Sequence, residues 1–141
     1  MHKKVGKPTG LEASKEGASI TMKQAETQNL KITAIHTDYE KYDLGKNHWD
    51  LILLLYVPLK NIAGKVIESL SKKGKVIVEA YHSDSRNVGI FGDKVAFNSD
   101  KLPEIFKSLN TYVYEEKVEI NDFGSMEVPI VRLYAGKPLK P

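Results

Sequence analysis

The chain has 141 residues, 41% hydrophobic and 28% charged, a balance that suits one soluble domain with a real core and too little length for two. It contains no cysteine, which excludes disulfides, thiolate catalysis and sulfur-ligated zinc or iron–sulfur clusters. The formal charge of +3, from 21 basic and 18 acidic residues, gathers at Lys3, Lys4, Lys7, Lys72 and Lys73 and reads as solubilising ends and turns rather than a nucleic-acid surface. The apolar run Leu51–Leu55 is far shorter than the roughly 20 residues a membrane helix needs. With no charged-then-apolar leader expected, the location expected is cytoplasmic.

Residues 1–8 are basic, with Gly6 and Pro8, and offer little to bury, so a flexible arm is expected ahead of a domain over 9–137. A short strand is expected at 9–12. Ser14 then offers a hydroxyl cap. Ala18, Ile20, Met22 and Ala25 give an amphipathic helix ending near Asn29. Alternation over 31–36 predicts a second strand, followed by the polar loop Thr37–Asp43.

Trp49–Tyr81 reads as strand, crossover helix, strand. Leu51–Leu55 has no polar residue, so the strand at 50–56 is expected to be buried on both faces. Ile62, Ala63, Val66, Ile67 and Leu70 fall at helical spacing, and Val76–Val78 anchor a strand at 75–81. Such a crossover sets its two strands parallel.

His82–Asn98 is longer than an ordinary connection and is expected to be a lid or binding loop, or else disordered, with Val88, Ile90, Phe91, Val95 and Phe97 arguing that some of it packs. Ser99 and Asp100 open a helix over Leu102, Ile105, Phe106 and Leu109, with Pro103 tolerated in its first turns. Strands at 112–120 and 128–135, joined by the turn Asn121–Ser125, close the chain as an antiparallel hairpin. The expected class is α/β, three layers, mostly parallel.

Five stretches in this order carry a resemblance: Gly10-Leu11-Glu12-Ala13-Ser14, Thr37-Asp38-Tyr39, His48-Trp49-Asp50-Leu51-Ile52, Leu70-Ser71-Lys72-Lys73-Gly74-Lys75-Val76-Ile77-Val78-Glu79, and the closing hairpin. Together they resemble small single-domain class I S-adenosylmethionine-dependent methyltransferases, of the kind related to tellurite-resistance methyltransferases. The resemblance implies a Rossmann-like methyltransferase fold and methyl transfer from S-adenosylmethionine to a small molecule. It also implies cofactor binding by Glu12, Ala13, Asp38, Tyr39 and Tyr56.

In that reading Glu12 accepts ribose hydroxyls at the end of a parallel strand, while Asp38 and Tyr39 meet the adenine. The catalytic residue stays open. His82 at the same sheet edge is a candidate proton acceptor or a loop histidine bonded to backbone. His36 reads as packing or hydrogen bonding, and Asp50 as structural. No ligand cluster such as His-x-x-x-His suggests a metal.

The family's first strand and Gly-rich loop have no counterpart before Glu12, so the fold is expected to be N-terminally truncated and cofactor affinity weak or absent. The strand that would lie between 9–12 and 50–56 is then missing, and buried backbone groups need partners. A homodimer that repairs the sheet is expected. The alternative function is a non-catalytic remnant serving as a binding or oligomerising protein.

Overall fold

The computed structural model describes residues 8–84, 96–120 and 127–138. The expectations for the basic arm before Pro8, for most of the loop 82–98 and for the turn Asn121–Ser125 fall outside the described residues. The chain forms two compact units, Met1–Asp43 and Leu44–Pro141.

In the first unit, strand β1 (Thr9–Glu12), helix α1 (Lys15–Thr27) and strand β2 (Thr33–His36) make a β-α-β motif. The two strands pair parallel, from Thr9↔Thr33 to Glu12↔His36. Ser14 caps α1 as its side chain suggests: its Oγ accepts the Gly17 N–H at 3.1 Å, satisfying one of the helix's orphan donors. Ala18 and Ala25, two turns apart, are buried. Ile20 and Met22 are 56% and 42% exposed, so the apolar face is narrower than the spacing suggests. The helix stops where Asn29 turns to φ 55°, a left-handed ending that asparagine tolerates.

The second unit runs β3 (Trp49–Leu55), α2 (Ala63–Ser69), β4 (Leu70–His82), β5 (Ala96–Phe97), α3 (Lys101–Ile105), β6 (Asn110–Ile120) and β7 (Glu127–Gly136). Its sheet has the order β3-β4-β7-β6, with β5 paired to β4. β3 and β5 lie parallel to β4, while β7 is antiparallel to β4 and to β6. This is the expected α/β class, a mostly parallel body closed by an antiparallel hairpin.

β4 starts five residues earlier than its β-branched run implies, because Leu70 already pairs with Trp49 before the register jumps to Leu51↔Lys75. Gly74 sits at that jump. A Cβ there would come within 2.8 Å of the Ser71 nitrogen and the Trp49 carbonyl oxygen, so only glycine lets the backbone close up.

The register divides the sheet into two faces. Leu54, Val76, Val78, Ala80, Val131 and Leu133 share one face and are buried. Val66 of α2 and Leu102 of α3 are buried as well, as is Phe106; the amphipathic helices are the layer that covers such a face.

The opposite face carries Leu51, Leu53 and Leu55, exposed by 51%, 56% and 52%. The expectation that the 50–56 run is buried on both faces is therefore corrected. Among the described residues β3 pairs with β4 alone, so it is an outer strand, and an unbroken apolar run does not by itself supply a second neighbour. Also among the described residues, no helix is long and apolar enough to cross a membrane.

Candidate functional site

In the first unit, β1 and β2 end side by side at Glu12 and His36. Parallel strands present their C-terminal ends together, where α/β folds bind ligands. A cleft of about 280 Å³ opens there, lined by Ala13, His36, Thr37, Asp38, Tyr39 and Glu40.

Local hydrogen bonds fix this rim. Thr37 N–H donates to the Glu12 carbonyl at 3.0 Å, and His36 Nε2 lies 3.1 Å from the Ala13 carbonyl oxygen. Asp38 Oδ1 accepts the Glu40 N–H at 3.0 Å, while its carbonyl accepts from Lys41 and Tyr42. That double use of Asp38 makes a tight turn which holds Asp38 and Tyr39 at the rim.

Glu12 folds back toward the first turn of α1. A Cβ on Gly17 would come 3.0 Å from its Cγ and Cδ, so the glycine leaves room for the carboxylate beside a helix N-terminus, where negative charge is favoured. Burial raises the Tyr39 phenol pKa, and the carboxylates of Glu40, Asp38 and Glu12 raise it further. The cleft is thus an acidic rim with one aromatic ring, rich in hydrogen-bond acceptors.

Three of the sequence-derived candidates, Ala13, Asp38 and Tyr39, line this one cleft, and Glu12 acts on Tyr39 through its charge. His36, Thr37 and Glu40 also line it, and sequence reasoning did not select them. Their only signal was adjacency to Asp38. The bond from His36 to Ala13 agrees with its reading as a hydrogen-bonding residue.

Tyr56 belongs to the second unit and follows β3 with φ 57°. A bulky residue in left-handed backbone is strained and persists only where its surroundings hold it. Tyr56 N–H donates to the Glu79 carbonyl at 2.8 Å, and its hydroxyl donates to Glu79 Oε2 at 2.8 Å. Its ring lies 4.7 Å from that of Tyr81, against the buried cluster of Tyr81, Ala96, Val128 and Ile130. Arg132 in turn holds Glu79 through Nε and Glu115 through Nη1, each at 2.8 Å. Tyr56 is a fixed wall at the C-terminal end of a parallel strand.

His82 is 8% exposed. Its Nδ1 accepts the Asp84 N–H at 3.0 Å, which leaves Nε2 to donate to Ser99 Oγ at 2.9 Å. Both ring nitrogens are engaged by protein groups, so His82 ties β4 to the start of α3. Asp50 Oδ1 accepts from Ser71 Oγ at 2.7 Å, matching its structural reading. Among the described residues, no group of three or more His, Asp or Glu side chains could hold a metal ion.

No protein-family model matches the sequence, and no curated protein matches it significantly. Solved structures do match. TehB from Haemophilus influenzae superposes with a TM-score of 0.75 at 16% identity, over 94% of this chain and 50% of that one. An S-adenosylmethionine-dependent methyltransferase from Methanosarcina mazei gives 0.77 at 10% identity, over 94% of this chain and 82% of that one.

The chain has a class I methyltransferase-like fold. The N-methyltransferase NodS from Bradyrhizobium japonicum, in complex with S-adenosyl-L-homocysteine, also shares it, with a TM-score of 0.71 at 11% identity, over 94% of this chain and 67% of that one. At such identities the likeness extends to the fold alone, and the chain spans half the length of TehB.

Proposed function

We propose that residues 9–137 form one methyltransferase-like domain that binds S-adenosylmethionine by its adenosyl end in the β1–β2 cleft, acts on a small molecule, and works as a homodimer. The observation that carries this reading is the gathering of Ala13, Asp38 and Tyr39 at the C-terminal ends of two parallel strands, in a fold shared with structures of methyltransferases.

The acceptor-rich rim fits a nucleoside. Glu12 would accept from the ribose hydroxyls and Asp38 from the adenine amino group, with the Tyr39 ring against the base and the Ala13 backbone beside it. The chemistry such a cofactor supplies is an electrophilic methyl group. The chain's own task is alignment and exclusion of water, which matter more in methyl transfer than acid–base groups. Tyr56, held by Glu79, is a separate part of the proposal as a cofactor contact.

Calorimetry with S-adenosyl-L-homocysteine tests the reading. The residues named contact the nucleoside end only, so the expected result is weak but saturable heat. Glu12→Ala and Asp38→Ala each lower affinity about tenfold or more, since a hydrogen bond to a charged group contributes about 1.5–3 kcal/mol. Asp50→Asn, which alters a bond to Ser71 within the second unit, leaves affinity unchanged. Absence of heat at millimolar ligand would overturn the reading. It would favour instead a non-catalytic binding or oligomerising protein, for which the exposed leucines of β3 are the supporting observation.

A further inference from the structure

The outer edge of β3 is open among the described residues, and it is built differently from the other outer strand. Tyr56 N–H points to β4, where it meets the Glu79 carbonyl at 2.8 Å. Backbone direction alternates along a strand, so Leu51, Leu53 and Leu55 turn their N–H and C=O groups outward. The same three side chains are more than half exposed. No charge, proline or glycine interrupts Leu51–Leu55. β6 also exposes apolar groups, Val118 and Ile120 among them, but Glu115, Glu116, Lys117 and Glu119 break its run. Charges of this kind keep an outer strand from pairing, and their absence invites it.

We propose that β3 pairs antiparallel with β3 of a second copy about a twofold axis at Leu53, which makes one sheet continuous across two chains. This rests on the homodimer reading and assigns its surface. Leu53 is the middle of the three outward-facing residues, so centring there uses all of them. Leu53 then lies opposite the partner's Leu53, Leu51 opposite the partner's Leu55, and Ile52 opposite the partner's Leu54. Every cross-strand pair is apolar, and such pairs are the unit of sheet stability.

The rows beyond are complementary as well. Leu51 is in register with Lys75 and Leu55 with Glu79, so each Lys75 row meets a partner's Glu79 row, and like charges are kept apart. A twofold pairing consumes both open edges, and the charged β6 edge does not extend the sheet further, so assembly stops at two.

Because the chain has no cysteine, single cysteine substitutions report the register without background. A hydrogen-bonded antiparallel pair sets Cα atoms about 5.5 Å apart, within disulfide range. Light scattering with gel filtration is expected to give twice the chain mass of 15.8 kDa. Under mild oxidation Leu53→Cys cross-links most of the protein into dimers, while Leu51→Cys and Val118→Cys stay uncross-linked. Leu53→Lys sets two cations face to face and returns the mass to that of one chain, and Val118→Lys keeps the dimer. Should Leu53→Lys fail to fold by circular dichroism, the cross-linking pattern decides alone. A single-chain mass at every concentration overturns this interface together with the homodimer. A twofold mass without cross-linking of Leu53→Cys overturns the β3 interface only, and mass rising beyond two overturns the closed pairing.

Discussion

β3 and β6 bound the same sheet, yet one presents a leucine row to water and the other a row of charges. β6 belongs to an ion-pair network: Arg132 on β7 binds Glu115 at 2.8 Å and also binds Glu79, and Lys117 lies 2.6 Å from Glu119. Among the described residues, Leu51, Leu53 and Leu55 of β3 are exposed apolar side chains on a strand that pairs with β4 alone. The difference teaches that an outer strand is not one environment. Charged partners let β6 end a sheet, whereas β3 has the composition of an interior strand at the position of an edge.

The sharpest contrast is within β3 itself. Leu54 is 8% exposed and its neighbour Leu53 56%. Leu54→Ala is expected to lower unfolding free energy by about 2–5 kcal/mol. Leu53→Ala, in dilute protein below the pairing concentration, is expected to change it by about 0.5 kcal/mol or less. Urea unfolding of both variants measures this. Equal losses would mean that the leucine row is covered in the single chain.

Next in size is the charged side. Arg132→Met removes the cation that bridges Glu79, Glu115 and Glu119, and leaves Lys117 beside the last two. The Arg132 side chain is 31% exposed, so solvent screens part of the effect, and a loss of about 1–3 kcal/mol in the same assay is expected. An unchanged midpoint would show that β6 is not held by this network.

The smallest effect is a pH dependence carried by β6. Burial raises the Tyr114 phenol to about 12, against the hydrogen bond it accepts from the Asp100 N–H. A folded-state pKa above the unfolded value means stability fully present below the ordinary phenol value of 10.0 and lost as pH rises through about 12. Spectrophotometric titration of the chain and of Tyr114→Phe should show one tyrosine ionising late in the unmodified protein. Glu116 has the opposite sign: hydrogen bonds from Ser99 and Tyr114 lower its pKa, so its contribution is present above the ordinary carboxylate range and lost as pH falls through the folded value.

Much of the fold was legible because periodicity is local. The β-branched run Val76–Val78, the helical spacing Ile62–Leu70 and the Ser14 cap each report on a few neighbouring residues, and each announced its element, although Leu70 belongs to β4 and β4 begins before its expected start. What periodicity does not carry is the list of neighbours. Leu51–Leu55 reads as a strand from its own residues, but how many strands flank it depends on the rest of the sheet. The early start of β4 was hidden for a related reason: Ser71–Lys73 before Gly74 reads as a turn, and only the close approach of Trp49 makes that stretch pair.

The site follows the same division. Asp38 and Tyr39 stood out as a polar pair just after a strand. The fit of Glu12 against Gly17 and the bond from His36 to Ala13 span 5 and 23 residues, and they emerge only when two strand ends and a helix start are brought together. His82 was open between a proton acceptor and a histidine bonded to backbone; the Asp84 N–H bond agrees with the second, while its other partner Ser99, 17 residues away, leaves no local trace in the sequence.

Amide hydrogen exchange along β3 tests the contrast between the two outer strands most directly. At concentrations where the chain is paired, the outward amides of Leu51, Leu53 and Leu55 are expected to be protected, and their protection should fall together on dilution. The amides of β6 that face away from β7 should exchange quickly throughout. Free exchange of the three leucine amides at every concentration would contradict the account, because β3 would then be an unpaired edge despite its apolar run.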